Sequence, residues 1–284
     1  MREGKPSATA YRVAQRRAAH QLLDRPLVFD DPLAVCIAGA DDPARRDGRA
    51  FDSTRLSKAL RAFFAARSRF AEDQLAAAVA DGLDQYVVLG AGLDTFAYRN
   101  PHQHLRVFEV DFPATQAWKQ SLLARAQIAI PPSLTFVPVD FEKSSLAGAL
   151  AGAGFDVSKP GWFSWLGVTM YLARETVIQT LAFIGGLPPG SGVVFDYGVD
   201  PARLGTMERF IFERFAERVA AAGEPWVTGF EPATLADDLR RLGLPTIEDL
   251  GQAEINARYF SGRTDELQVG SFGRLVAASR RNQF

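Results

Sequence analysis

Hydrophobic patterning divides the chain into two styles. Residues 8–23 contain no Gly or Pro and mix apolar positions with Arg12, Arg16 and Arg17, and residues 55–80 form a second long helical run closed by Asp81-Gly82. Asp31-Pro32 is written as a helix start, with Asp as the cap and Pro in the first turn. Residues 40–47, rich in Asp, Arg and Pro, read as a loop. From residue 86 short apolar runs alternate with helical stretches. The runs are 86–89, 106–111, 135–140, 162–168 and 192–197; helical patterns occupy 113–127, 146–153 and 174–184. This alternation predicts parallel βαβ units in an open, doubly wound sheet, with strands covered on both faces. Residues 201–222 then read as a helix carrying Phe210, Phe212 and Phe215, broken by Gly223-Glu224-Pro225-Trp226. A helix at 234–242 and strands at 246–250 and 274–278 close the chain, the two strands expected as a hairpin at the sheet edge. The expected organisation is a helical cap over 1–82 and an α/β core over 83–284, with a helical lid inserted at about 201–230.

Composition narrows the function classes. The chain has 284 residues, 47% of them hydrophobic, enough for a large core and too many for a disordered chain. Its 32 basic and 33 acidic residues leave a net charge of −1, which argues against a nucleic-acid binder. The first 70 residues are locally basic, with fourteen Lys or Arg against eight Asp or Glu. Most of these read as solvated helix faces, but some arginines are expected to point into a site and hold carboxylates. Cys36 is the one cysteine, so an intrachain disulfide and a multi-cysteine zinc cage are excluded; it reads as a small buried apolar residue. No apolar run approaches the ~20 residues of a membrane span, and the polar, arginine-rich start lacks the apolar run of a signal peptide. A cytoplasmic protein that engages neither membrane nor nucleic acid is expected.

The candidate chemistry lies at the ends of the apolar runs. Gly90-Ala91-Gly92 stands where the first strand turns toward a helix, a place where glycine lets a ligand approach the backbone. In open parallel sheets ligands bind off the carboxyl ends of the strands. Asp111 ends the second run and suits the two hydroxyls of an adenosine ribose. Asp140 ends the third, with Phe141 beside it, which suits the amine and the ring face of adenine. A dinucleotide usually needs a third glycine for its pyrophosphate, where this chain has Thr95, and Asp94 would stand near the phosphate. Like charges at that separation repel by ~1–4 kcal/mol. S-adenosylmethionine carries no phosphate and bears positive charge, so Asp94 favours it over NAD.

These residues resemble a known family. Residues 87–95 (Val-Val-Leu-Gly-Ala-Gly-Leu-Asp-Thr), with Tyr98-Arg99, Phe108-Glu-Val-Asp-Phe-Pro113 and Trp118-Lys119, are similar to the leucine carboxyl methyltransferase family, in particular its bacterial S-adenosylmethionine-dependent branch. Ala66-Arg-Ser-Arg-Phe70, Val139-Asp-Phe-Glu142, Trp165-Leu-Gly-Val-Thr-Met-Tyr-Leu172 and Gly223-Glu-Pro-Trp226 extend the resemblance from about residue 17 to about residue 276. It implies a class I methyltransferase, Rossmann-like, with a seven-stranded sheet and an antiparallel last strand. It implies that Gly90, Ala91 and Gly92 pass under the methionine part of S-adenosylmethionine. Asp111 would hold the ribose, Asp140 and Phe141 the adenine, and Arg67 and Arg17 the cofactor carboxylate. One departure is plain: many members carry Glu where this chain has Leu166, which removes a contact to the cofactor ammonium.

Methyl transfer is an in-line displacement, in which the enzyme positions two partners and excludes water. A carboxylate acceptor needs no base; a phenol benefits from one. His20, on the helix expected over the cofactor, is a candidate of the substrate pocket and could serve as a base, but a helix histidine satisfied by its neighbours is the commoner case and no catalytic base is assigned; His102 and His104 fall in a loop before the second strand. Tyr171, Phe212 and Trp226 are candidate walls of an acceptor pocket, the last two as part of an aromatic lid. The acceptor is expected to be a small molecule such as a natural-product intermediate, methylated on a carboxylate or hydroxyl. A non-catalytic S-adenosylmethionine-binding protein and an NAD-linked oxidoreductase are the alternatives. The N-terminal helices and the insertion are candidate surfaces for a homodimer.

Overall fold

The computed structural model describes residues 7–140, 145–203, 225–271 and 273–280, with isolated positions between 205 and 220. Four helices come first: α1 (Ala8–Leu23), α2 (Leu33–Ile37), α3 (Gly48–Phe51) and α4 (Arg55–Ala80). The alternating part follows as β1 (Gln85–Leu89), α5 (Phe96–Arg99), β2 (Arg106–Asp111), α6 (Pro113–Arg125), β3 (Leu134–Pro138), α7 (Leu146–Gly152), β4 (Trp162–Trp165), α8 (Arg174–Gly186) and β5 (Gly192–Gly198). The chain ends with α9 (Pro232–Arg241), β6 (Thr246–Leu250), α10 (Gln252–Tyr259) and β7 (Gly273–Ser279).

The seven strands form one sheet in the order β3-β2-β1-β4-β5-β7-β6. β1 to β5 are parallel, and β7 enters antiparallel between β5 and β6. β6 and β7 pair as expected but are not a tight hairpin, because α10 lies between them in sequence. Strand order reverses between β1 and β4, so a crevice opens beyond their carboxyl ends.

Side-chain alternation builds a core on each face. Tyr86 and Val88 of β1 point to one side and pack with Phe70 and Leu75 of α4. Val87 and Leu89 point to the other and pack with Leu150 of α7 and Leu181 and Ile184 of α8. Every residue of β1 is therefore buried, which is why the run is apolar at consecutive positions. The N-terminal helices are tied down by polar contacts. Ser7 caps α1 by accepting from Ala10 N–H, and Thr54 caps α4 by accepting from Ser57 N–H. Asp24, just after α1, takes a two-point contact from Arg61 of α4, both distances 3.2 Å.

Several local expectations change. The fourth strand stops at Trp165, because Gly167 turns the chain with φ +73°. Residues 40–47 contain a 3-10 turn, Pro43–Arg45. Asp31 does not cap α2; its carboxylate faces Arg17 and Thr95 instead. Cys36 is exposed on α2, not buried, because that helix turns Ala34 and Ile37 inward. Among the described residues no helix is long and apolar enough to cross a membrane, and no cluster of metal-ligating side chains occurs.

Candidate active site

Two cavities meet beyond the carboxyl ends of the central strands. The first, about 520 Å³, runs over the β1 turn: Gly90, Ala91, Gly92 and Asp94 line it, with Asp111 at the end of β2, Phe112 just after it, and Val139 and Asp140 after β3. The second, about 450 Å³, lies between α1, the face of α4 that carries Leu60, Phe63 and Phe64, and the end of β5. Thr9, Val13, Arg67, Gly167 and Tyr171 line both, so the cavities abut at these residues.

The floor of the first cavity is bare backbone. Gly90 and Gly92 have φ of +64° and +45°, and a Cβ at Gly90 would fall 2.4 Å from Val168 Cγ2. Only glycine admits this turn so close to the loop after β4. Asp111 is buried, and its carboxylate accepts from Gly92 N–H at 2.5 Å and Phe112 N–H at 2.6 Å. Burial pushes its carboxyl above the usual range, and the two backbone donors pull it back. A carboxylate has about four acceptor sites, so two donors leave room for two hydroxyls.

Arg67 stands where the cavities meet. Its Nη1 donates to Asp196 Oδ2 at 3.0 Å, and that is its one hydrogen bond among the described residues. Asp196 Oδ1 accepts from Gly167 N–H at 2.5 Å, and the Arg67 guanidinium lies 4.6 Å from the centre of the Phe64 ring. Asp196 thus clamps an arginine of α4 and the turn after β4 to the end of β5. The sequence reading passed over Asp196, although the signal was there: it is a third acid near the end of an apolar run, after Asp111 and Asp140.

Arg17 and His20 both make close contacts within the protein. Arg17 lines the first cavity, with four of its five N–H donors engaged by protein groups and one Nη1 donor left. Nε and Nη2 contact Asp31 at 3.1 and 2.5 Å, Nη2 also reaches Thr95 Oγ1, and Nη1 donates to Leu93 O. The fully buried Asp31 requires this partner, so Arg17 pins α1 to the turn after β1. His20 lines neither cavity. Its Nδ1 lies 2.9 Å from Asp24 Oδ2, and its Nε2 accepts from Val28 N–H at 3.1 Å, so both ring nitrogens are engaged in joining α1 to the chain that follows it.

The remaining candidates fall as follows. Tyr171 lines both cavities and Trp226 the second. Residues 225–229 reach back to the loop after β4, where Val227 N–H donates to Met170 O and Thr228 Oγ1 to Leu172 O. Leu166 faces the first cavity and is partly buried against the core, so an apolar side chain occupies the departure from the family pattern. Phe141, Phe210, Phe212 and Phe215 lie outside the described residues. Phe112 is an aromatic of the first cavity that the sequence reading did not single out.

Comparison with known proteins agrees with this geometry. The model of the leucine carboxyl methyltransferase family matches residues 10–185. The chain belongs to the leucine carboxyl methyltransferase family. A Bacillus subtilis relative named "Putative S-adenosyl-L-methionine-dependent methyltransferase YktD" is 34% identical, over 95% of this chain and 96% of its own. A Frankia alni relative with the same description is 33% identical over 78% of this chain and 76% of its own. Among solved structures, one described as a "putative methyltransferase" from Thermobifida fusca superposes with TM-score 0.58 at 16% identity, covering 99% of this chain and 97% of its own. A DUF574 family protein from Streptomyces avermitilis gives 0.52 at 17% identity, covering 94% and 97%. At such identities these two speak for the fold, a class I methyltransferase sheet.

Proposed function

We propose that this S-adenosylmethionine-dependent methyltransferase of the leucine carboxyl methyltransferase family methylates an oxygen of a small molecule, a carboxylate in first place. The observation that carries this reading is the meeting of the two cavities at Thr9, Val13, Arg67, Gly167 and Tyr171. One cavity has the fittings for an adenosine cofactor, and the other is a mainly apolar chamber for an acceptor.

The residues present fit the cofactor. The glycine turn leaves its backbone open, Asp111 keeps two acceptor sites for ribose hydroxyls, and Asp140, on the wall of the same cavity, offers an acceptor for an adenine amine. Arg67, held by one nitrogen only, has donors left for the cofactor carboxylate. When bound, S-adenosylmethionine supplies a methyl group on a positively charged sulfur. The protein's part is to orient the acceptor oxygen across the junction and to keep water out, and the buried Asp196 clamp fixes the wall there. Asp94 adds an acid to the first cavity, which disfavours a pyrophosphate and suits a cationic cofactor.

Among the described residues no histidine lines either cavity, and a carboxylate acceptor needs none. Asp196 is tied to Arg67 and Gly167. An acceptor that is already ionised, with a pKa near ~4, needs no proton removed. The test is twofold. Calorimetric titration should show that S-adenosylmethionine and S-adenosylhomocysteine bind, that NAD does not, and that Asp111→Ala weakens both by about tenfold or more, the loss of charge-assisted hydrogen bonds. Release of S-adenosylhomocysteine across a panel of carboxylic acids and phenols should favour the acids, without a rise in rate at alkaline pH. Turnover of phenols alone, climbing as they ionise near pH ~10, would overturn the carboxylate reading.

A further inference from the structure

We infer that Arg12 and Arg16 hold an anionic group of the acceptor that is distinct from the oxygen receiving the methyl group. The inference rests on the reading of the second cavity as the acceptor's. Thr9 and Val13 of α1 line both cavities, whereas Arg12 and Arg16 line the second alone. The four-residue spacing puts the two arginines on one face of α1. Arg16 is seven positions beyond Thr9, ~10 Å along the helix at ~1.5 Å per residue, so this cationic end is set apart from the junction.

Among the described residues no carboxylate oxygen lies within 4.0 Å of either guanidinium. Arg16 is half-buried, and its Nη1 reaches only Arg49 O and Ser57 Oγ, both at 3.4 Å. Burial pushes the Arg16 guanidinium below its usual value, while the fields of Asp47 and Asp52 pull the other way. Those two acids also line the cavity and keep their charge, Asp47 accepting from Arg49 N–H and Asp52 from Thr54 N–H and Oγ1–H; they face Arg12, Arg16 and Arg49 on the same wall, so the cations outnumber them there. Other buried arginines of the N-terminal helices carry close carboxylates: Arg17 has Asp31, Arg61 has Asp24 and Arg67 has Asp196. Arg12 is exposed, whereas Arg16 is partly desolvated, and a cation in that setting is costly unless a ligand supplies the counter-charge.

The body between the two ends is apolar. Leu56, Leu60, Phe63 and Phe64 of α4 and Met170 line the same chamber. The acceptor class is therefore an apolar or aromatic molecule with two polar ends: the oxygen to be methylated at the junction, and a carboxylate or similar anion under α1. The product keeps that anion.

Two matched pairs test this on the full chain saturated with S-adenosylhomocysteine. Decanedioate is compared with its monoamide, and 2,6-naphthalenedicarboxylate with its monoamide, by calorimetric titration. Each pair keeps one carboxylate for the junction and differs only in charge at the far end. At least one diacid should bind about tenfold or more tightly than its monoamide, as expected for a charge-assisted contact. Arg16→Gln and Arg12→Gln should abolish that preference while S-adenosylhomocysteine affinity stays the same. Diacids that bind no better than monoamides, or a preference that survives in both variants, would overturn the inference. Failure of wild type to bind S-adenosylhomocysteine would instead overturn the reading on which it rests.

Discussion

The Asp196 clamp offers the sharpest energetic test. Asp196 is 1% exposed and Arg67 6%, and the carboxylate joins Arg67 Nη1 at 3.0 Å to Gly167 N–H at 2.5 Å. Asp196→Ala leaves a buried guanidinium without its counter-charge, and removing one partner of a buried pair costs ~3–5 kcal/mol. The orphaned Gly167 N–H lies within the same loss, so the two costs overlap. At ~2–4 °C per kcal/mol for a chain of this size class, Tm should fall by roughly 6–20 °C. Arg67→Met should also be costly, since it strands Asp196. The double variant Asp196→Ala/Arg67→Met removes both charges together, so it should lose much less than the sum of the singles, with a coupling of ~1–3 kcal/mol. Urea unfolding of wild type, both singles and the double, followed by fluorescence and by circular dichroism, gives the cycle. Singles that add to within ~0.5 kcal/mol would show that the pair is not energetically coupled and would refute the clamp. A second readout separates structure from site: Arg67→Met should weaken S-adenosylhomocysteine by tenfold or more, at ~1.5–3 kcal/mol per charged hydrogen bond.

Two further outcomes are expected. Glu109 of β2 is fully buried against Lys119 of α6, with Oε2 2.6 Å from Nζ; burial pushes its carboxyl up to about 7, with Lys119 pulling the other way. A folded-state value above the ordinary 4.5 means that the stability linked to this proton is present below about pH 4.5 and is lost as pH rises to about 7. That loss is at most ~3 kcal/mol at ~1.4 kcal/mol per unit, and urea unfolding at pH 5 and pH 8 should show it in wild type and not in Glu109→Gln/Lys119→Met. His20→Ala should cost ~1–3 kcal/mol by stranding Val28 N–H and removing one partner of Asp24, which Arg61 still holds, yet leave S-adenosylhomocysteine affinity and the pH dependence of turnover unaltered; loss of an acid-side limb of the pH–rate profile in the variant would restore His20 as a base.

The periodicity of the chain was enough for the sheet. Strands apolar at consecutive positions have to be buried on both faces, so residues 86–89 and 192–197 announce central parallel strands before any contact is known. Gly90, Gly92 and Asp111 were legible for the same local reason: a turn with positive φ needs glycine, and an acid that ends an apolar run has to face the crevice. The ends of elements were less legible. The fourth strand stops at Trp165 because Gly167 turns, and Asp31 failed as a helix cap because Arg17 competes for its carboxylate.

What the sequence by itself determined is thus the class of fold, the glycine turn and the acids at two strand ends, since each follows from neighbours along the chain. What only the tertiary structure decided is the use of the N-terminal arginines. Arg12, Arg16, Arg17, Arg61 and Arg67 look alike in sequence, on two helices of similar character. Folding gives Arg17, Arg61 and Arg67 the acids Asp31, Asp24 and Asp196, from 14 to 129 positions away, and leaves Arg12 and Arg16 on the wall of a cavity. Whether a cation braces the fold or faces a ligand depends on which carboxylate comes within ~4 Å of it, and that distance is set by packing between elements remote in the chain.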